Sequence, residues 1–259
     1  MIAVMLLMIA GGIALSQAVS CPKQVTLHWL RLGGIIAVTL TAVAAAILIV
    51  TDAGKFGASF WTLLVLAGAA FTAQLMTVQL ARRHAQRLFA AAGYVLAVLA
   101  AICAAQPAVQ ATTVQQLDLY VAMPGAVGLV GGFVMTMLIG HAYLTAGGQM
   151  TQAPFQRLVL MLAVLLILRA ATSLGLGLYP YLGRTEETAS MDVMWNTVML
   201  TARYLVGLAV PAVFTAMIHA CVRQRANQSA TGILYVAGVL VIIGEGIVLG
   251  LIDATGWVF

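Results

Sequence analysis

The sequence predicts an all-α integral membrane protein with eight transmembrane helices. Two observations indicate this fold class. Of the 259 residues, 63% are hydrophobic and only 7% are charged, whereas a soluble domain has roughly 25% charged and about 45–50% apolar residues. The apolar residues also fall into runs of about 20, the length at which a helix crosses the hydrocarbon core of a bilayer. So much apolar surface needs lipid as its solvent, and the lipid bilayer is therefore the first predicted partner.

The eight apolar runs are separated by short connectors that contain polar residues and helix breakers. The first run lacks the positively charged stretch of a secretory signal peptide, so it is predicted to be a membrane helix. All eight belong to one membrane domain, 1–259. In order, the predicted spans are Met1–Ser20, Trp29–Thr51, Ser59–Ala81, Leu88–Gln106, Val121–Leu144, Leu158–Tyr179, Met194–Val222 and Gly232–Thr255.

Positive charge is distributed unequally among the connectors. Those of odd number, with their flanks, hold Lys23, Arg31, Arg82, Arg83, Arg87, Arg157, Arg223 and Arg225, and those of even number hold only Lys55 and Arg184. The acids on the even-numbered side are Asp52, Asp118, Glu186, Glu187, Asp192 and Asp253. Lysine and arginine accumulate on the cytoplasmic side, which predicts an inner (plasma) membrane protein with both termini outside. The clusters form no basic stripe interleaved with aromatics, so no nucleic-acid partner is predicted.

The two halves, 1–106 and 121–255, show weak internal similarity. "AFTAQLM" (70–76) resembles "VFTAMIH" (213–219), the stretch 82–98 aligns with 223–239, and "GGIALS" (11–16) matches "GHAYLT" (140–145). Four spans per half is an even number, which predicts parallel repeats related by an axis along the membrane normal. Chance similarity between alanine-rich helices is the alternative.

Three ionisable residues fall inside predicted spans of the second half: Arg169 in "LLILRAATS", Arg203 in "LTARYLVG" and Glu245 in "IIGEGIVLG". Such residues are costly in a membrane and are functional candidates by default. If the last three spans are neighbours, the three side chains are within reach of one another. Two guanidiniums against one carboxylate leave a positive site for a quinone carbonyl, a haem propionate or an anionic substrate. Glu245 is the predicted catalytic group, exchanging protons with the outer face. The alternative is an ion pair that only holds three helices together.

Two histidines lie near the predicted cytoplasmic ends of their spans, His141 in "MLIGHAYLTAGG" and His219 in "TAMIHACVR". A membrane haem b takes two axial imidazoles from opposite sides of the ring. Matched depth makes His141 and His219 the predicted haem-iron ligands, if haem is present. The alternative is an interfacial histidine that hydrogen-bonds a carbonyl or a headgroup.

Motifs of stand-alone enzymes are absent from the sequence, including the P-loop, GxSxG and HExxH patterns. The three cysteines, Cys21, Cys103 and Cys221, form no metal-binding spacing. A non-catalytic or quinone-reactive subunit is therefore predicted in preference to an independent enzyme.

Eight spans in two four-helix halves resemble the quinone-reactive anchor subunits of polysulfide and dimethyl sulfoxide reductases. The likeness is one of topology, and no residue motif or site is taken from those families. It favours a membrane subunit of a respiratory-type electron-transfer complex that binds a quinone and, in one version, haem b. Connectors too short for a catalytic domain predict partner subunits. The alternatives are a small-solute or ion transporter, which parallel repeats would serve, and a structural or assembly subunit.

Overall fold

The computed structural model describes residues 2–52, 56–109, 112–146, 151–178 and 191–259. Within these ranges the secondary structure is helical, and no strand occurs. Among the described residues, eight helices are long and apolar enough to cross a membrane, which agrees with the number predicted from the sequence. Of the charged residues used for the orientation, Lys55, Arg184, Glu186 and Glu187 lie outside the described residues.

The helices are α1 (Ile2–Val19), α2 (Leu27–Asp52), α3 (Ala58–Gln79), α4 (Arg83–Ala105), α5 (Thr113–Ala146), α6 (Ala153–Thr172), α7 (Met191–Tyr204), α8 (Val210–Arg223) and α9 (Asn227–Thr255). A π-helical turn, Leu205–Ala209, joins α7 to α8, and the three together make the seventh span. A second π-helical turn, Ser173–Leu178, continues α6. Local sequence explains several ends: Pro154 lies in the first turn of α6, and Gly256 ends α9 with a left-handed φ of 72°.

The helices form two four-helix bundles with the same order of neighbours. In the N-terminal bundle α1 packs on α2, α2 on α3, α3 on α4, and α4 on α1. In the C-terminal bundle α5 packs on α6, α6 on α8, α8 on α9, and α9 on α5. The first helix of each bundle, α1 and α5, packs on the other and joins the two. We call the end with residue 2 and connector 106–112 the outer end, and the end with connectors 20–26 and 224–226 the inner end.

Two glycines bring α1 and α5 into backbone contact. A Cβ atom added at Gly12 would overlap the Val127 carbonyl oxygen and lie 2.7 Å from the Gly131 Cα. A Cβ atom at Gly131 would overlap the Ile9 carbonyl oxygen and lie 2.5 Å from the Ile13 nitrogen. Small residues allow this approach, which increases van der Waals contact between helices that gain little from the hydrophobic effect in lipid. The two bundles therefore meet at a glycine crossing.

The buried faces of the two bundles follow the same register. Eight residues of α2 are buried: 29, 30, 33, 34, 37, 41, 44 and 48. Each has a buried counterpart 125 positions later, in or just after α6: 154, 155, 158, 159, 162, 166, 169 and 173. Seven buried residues of α4 likewise have buried counterparts 144 positions later in α9. Glu245 is the counterpart of Ala101. The halves thus pack alike, which is consistent with the predicted duplication; the duplication itself stays a prediction.

The turns that link α3 to α4 and α8 to α9 share one backbone shape. Ala81 and Arg225 both have a left-handed φ, 56° and 60°. In each turn the following residue donates to a carbonyl five positions back, Arg82 to Thr77 and Ala226 to Cys221, both at 2.9 Å. This equivalence places Ala81 on Arg225, a shift of 144. The sequence alignment, which placed Arg82 on Arg223, therefore differs from the structural equivalence by three residues, close to one helical turn.

A similar difference affects the first helices. The crossing of Gly12 with Gly131 places "GGIALS" at 11–16 on "VGGFVM" at 130–135, a shift of 119. The eleven buried residues of α1 all have buried counterparts 119 positions later in α5. The sequence comparison with 140–145 matched a stretch ten residues further along α5.

Candidate functional site: a buried charge cluster

Arg169, Arg203 and Glu245 come together in the interior of the C-terminal bundle. The Arg169 Nε and Nη2 atoms donate to Glu245 Oε1 and Oε2 at 3.1 and 3.2 Å. The Arg203 Nη2 atom lies 2.9 Å from Glu245 Oε1, close enough for an ion pair although not aligned for a hydrogen bond. The three side chains are 2%, 0% and 1% exposed. The structure therefore brings these three residues into contact, as the sequence predicts if the last three spans are neighbours.

Close helix packing positions the arginine of α7 beside the carboxylate of α9. Gly207 and Gly244 touch backbone to backbone, so a Cβ at Gly207 would lie 2.8 Å from the Gly244 Cα and 3.0 Å from Arg203 Nη1. Any larger residue at either glycine would separate α9 from the turn after α7. The glycine pair thus sets the distance between Arg203 and Glu245.

Both buried arginines lie beside π-helical turns. The turn Leu205–Ala209 begins two residues after Arg203, and Ser173–Leu178 begins four residues after Arg169. The two turns are tied together where Tyr204 donates its hydroxyl hydrogen to the Ser173 carbonyl at 2.8 Å. Turns of this kind are rare and occur frequently at functional sites, because the extra residue redirects the side chains around it.

A fourth charged residue, Asp118, lies near the cluster, and sequence analysis missed it as a site residue. It was assigned to a connector, but α5 begins at Thr113 and buries the Asp118 side chain completely. Neither carboxylate oxygen has a hydrogen-bond partner among the described residues. A signal was present: Gln115, Asp118, Ala122 and Ala126 are spaced three and four apart and so share one helix face.

Several polar atoms of the cluster have unused hydrogen-bonding capacity. Within the part of the chain that the structure describes, Arg169 Nη1 and the Nε and Nη1 atoms of Arg203 have no acceptor, and Arg203 Nη2 has only the misaligned Glu245 Oε1. Arg169 and Glu245 line a cavity of about 10 Å³ between α1, α5 and α9, enough for about one water molecule. Buried donors without acceptors are costly, so the arrangement can bind a small polar group that accepts hydrogen bonds.

The segment that follows α9, residues 256–259, folds back over the outer end of the cluster. The Val258 nitrogen donates to the Gln115 Oε1 atom at 2.8 Å, and Arg169 Nη2 donates to the Phe259 carbonyl oxygen. Trp257, Val258 and Phe259 are all buried, and Val258 lines the cavity. This segment therefore separates the cluster from the outer end of the bundle.

The histidines lie apart from this cluster. His141, close to the end of α5, and His219, on α8, are both exposed on the protein surface. The neighbour order places α5 and α8 diagonally across the C-terminal bundle, so the two imidazoles do not face each other across one helix–helix interface. This arrangement does not fit a single haem held between His141 and His219 within the chain. Their role as ligands stays a prediction.

The N-terminal bundle contains no buried ion pair among its described residues, but it has a buried amide pair that sequence analysis also missed. Gln74 donates through Nε2 to Gln17 Oε1, and Gln17 Nε2 donates to the Leu30 carbonyl oxygen at 2.9 Å. The structural counterparts of Arg169 and Glu245 in this bundle are Ala44 and Ala101. Of the side chains that the structure describes, the buried charged ones all lie in the C-terminal bundle.

These features define the class of the protein: an all-helical chain, in its described residues, with eight helices long and apolar enough to span a membrane and a buried charge cluster in its second four-helix bundle. Comparison of the chain with protein-family models, with curated proteins and with solved structures finds no match.

Proposed function

We propose that this protein is a membrane subunit of an electron-transfer complex and that it binds a quinone at the cluster of Arg169, Arg203 and Glu245. The observation that supports this proposal is the set of buried guanidinium N–H groups without acceptors, beside the unpaired carboxylate of Asp118. A bound quinone supplies carbonyl acceptors and takes up electrons together with protons. Donors and a carboxylate side by side suit such a ligand.

Each side chain has a distinct role in the proposal. Arg169 and Arg203 donate hydrogen bonds to the polar head of the ligand, and Glu245 neutralises one of the two positive charges. Asp118 holds or releases a proton at the outer side of the cluster. The four side-chain charges cancel when Asp118 is ionised, and one positive side-chain charge is left when Asp118 is protonated.

The size of the cavity requires movement of segment 256–259. A volume of about 10 Å³ holds a water but not an aromatic ring. The Phe259 carbonyl already accepts a hydrogen bond from Arg169, as a quinone carbonyl would. We therefore propose that this segment moves outward when the ligand enters. A haem is no part of the proposal, because the two exposed histidines lie away from the cluster.

We expect Arg203→Lys to weaken quinone binding at least tenfold. Lysine keeps the positive charge but lacks the planar fork of donors, and each lost charge-assisted hydrogen bond weakens binding by about tenfold. The measurement is quenching of tryptophan fluorescence by a short-chain quinone added to the purified protein, since Trp257 is next in sequence to Val258, which lines the cavity. Arg157→Lys, an exposed arginine at the inner end, is the matched control and should bind within twofold of wild type. Equal affinity of both variants and wild type would remove the assignment.

A transporter of a small polar solute is the second candidate, and the equivalent packing of the two bundles favours it. Parallel repeats related by an axis along the membrane normal occur in transporters that alternate between two access states. Two results together would favour this function over the first. Proteoliposomes that contain the purified chain would take up a labelled solute, and the purified chain would bind no quinone.

The orientation is proposed from the charges alone: both described ends of the chain lie on the outer side of the plasma membrane. In a chain with Cys21, Cys103 and Cys221 replaced by serine, we expect Ser59→Cys to react with a membrane-impermeant maleimide on right-side-out vesicles. Gln224→Cys should react only after permeabilisation. Both positions are exposed, so the reverse pattern would invert the orientation.

A further inference from the structure

The inner end of the N-terminal bundle has a basic pocket that the proposed function does not use. It has a volume of about 560 Å³, and its lining includes Lys23, Arg82, Arg83, His84, Arg87 and Cys21. The described residues place no carboxylate in this lining. Lys23, Arg82 and Arg83 have no ion-pair or side-chain hydrogen-bond partner there, while Arg87 Nε donates to the Ala18 carbonyl at 3.1 Å.

A buried polar side chain lies beneath the pocket. Gln86 is 1% exposed, and neither its Nε2 nor its Oε1 atom has a hydrogen-bond partner among the described residues. It lines a smaller cavity of about 10 Å³ that shares Pro22, Ala81 and Arg83 with the basic pocket. A buried amide without partners costs free energy unless a ligand or water satisfies it. The unsatisfied amide therefore lies in a small cavity that adjoins the basic pocket through these three shared residues.

We propose that this pocket binds the phosphate group of an anionic lipid headgroup. Several cations close together, without acids, fit a phosphate anion. The first amides of α4, which begins at Arg83, have no acceptor within the helix and add donors on the same side. The lining also borders exposed apolar side chains, Leu80 at 66% and Leu88 at 68% exposure, which can contact acyl chains. That last feature favours a lipid over free phosphate as the source of the group.

The test measures the melting temperature of the purified full chain in a neutral detergent at low ionic strength. Phosphatidylglycerol in mixed micelles should raise the melting temperature in a saturable way, and phosphatidylcholine should not. In Arg82→Gln/Arg83→Gln the apparent affinity for phosphatidylglycerol should fall at least tenfold. Arg223→Gln/Arg225→Gln, in the turn of the same shape at the same end, is the matched control and should stay within twofold of wild type.

Further measurements test the role of Gln86 and the source of the phosphate group. Gln86→Leu changes no charge and should still weaken phosphatidylglycerol binding severalfold, because it removes the unsatisfied amide next to the pocket. Inorganic phosphate that raises the melting temperature as much as the lipid, and competes with it, would overturn the lipid as the source. Equal losses in the two double-arginine variants, or no response of the wild type to phosphatidylglycerol, would overturn the site. None of these outcomes depends on quinone binding.

Discussion

Replacing Glu245 with alanine is expected to lower the free energy of unfolding by about 3–5 kcal/mol, because it leaves two buried guanidiniums without a counter-charge. Arg169 and Arg203 are 2% and 0% exposed, so neither reaches water without opening the bundle. The corresponding fall in the melting temperature is about 10 °C or more. Thermal unfolding of the purified variant, followed by the loss of helical circular dichroism, measures it.

A compensated variant separates charge removal from charge imbalance. Arg169→Met/Arg203→Met/Glu245→Leu, together with Asp118→Asn, replaces all four charged groups by neutral ones of similar volume. We expect its stability to lie within about 2 kcal/mol of wild type, since such replacements of buried ion pairs are often neutral. The N-terminal bundle supports this expectation, because Ala44 and Ala101 occupy the counterpart positions of Arg169 and Glu245.

The comparison of these two variants also tests whether the cluster exists for stability or for binding. If the compensated variant folds but binds no short-chain quinone, the charges serve the ligand. A compensated variant as unstable as Glu245→Ala would instead show that the ions hold the helices together, the structural alternative. If the single variant Glu245→Ala were as stable as wild type, Glu245 would not be the buried counter-charge of the two arginines.

Composition and apolar run length were enough to predict the helical fold and its eight spans, because a bilayer imposes both on any chain that crosses it. The same logic singled out Arg169, Arg203 and Glu245, since an ionisable residue in an apolar run is conspicuous whatever it contacts. The function of these residues remained open, because apolar runs carry no information on the ligand.

Sequence reasoning failed where neighbouring helices decide the structure. Sequence reasoning assigns Asp118 to a connector because the residues after it are more apolar, yet α5 begins at Thr113 and the carboxylate is buried near Gly177, in the turn that follows α6. The π-helical turn at Leu205–Ala209 inserts a residue into the seventh span, and no composition rule signals it. The internal alignment was shifted for a related reason: alanine-rich helices score alike in several registers, and only contacts such as the glycine crossing fix one.

At this crossing, Gly131→Leu is expected to cost at least about 3 kcal/mol of stability, because a side chain there meets backbone rather than flexible atoms. A Cβ atom would lie 2.5 Å from the Ile13 nitrogen and overlap the Ile9 carbonyl oxygen. Relief requires α1 and α5 to separate, and these two helices join the bundles. Overpacking in a well-packed core typically costs about 1–3 kcal/mol even when side chains can move, so a backbone clash should exceed that range.

Gly131→Ala provides a milder form of the same test, in case the leucine variant does not accumulate. It should lower the melting temperature clearly, whereas Gly250→Ala should leave it unchanged or raise it. Gly250 lies in α9 with nothing within 4 Å of an added Cβ, and alanine is favoured over glycine inside a helix by about 1 kcal/mol. Thermal unfolding of the two alanine variants side by side, in the same detergent, makes the comparison. If both shift the melting temperature equally, α1 and α5 do not meet at Gly131, and the joint between the two bundles lies elsewhere.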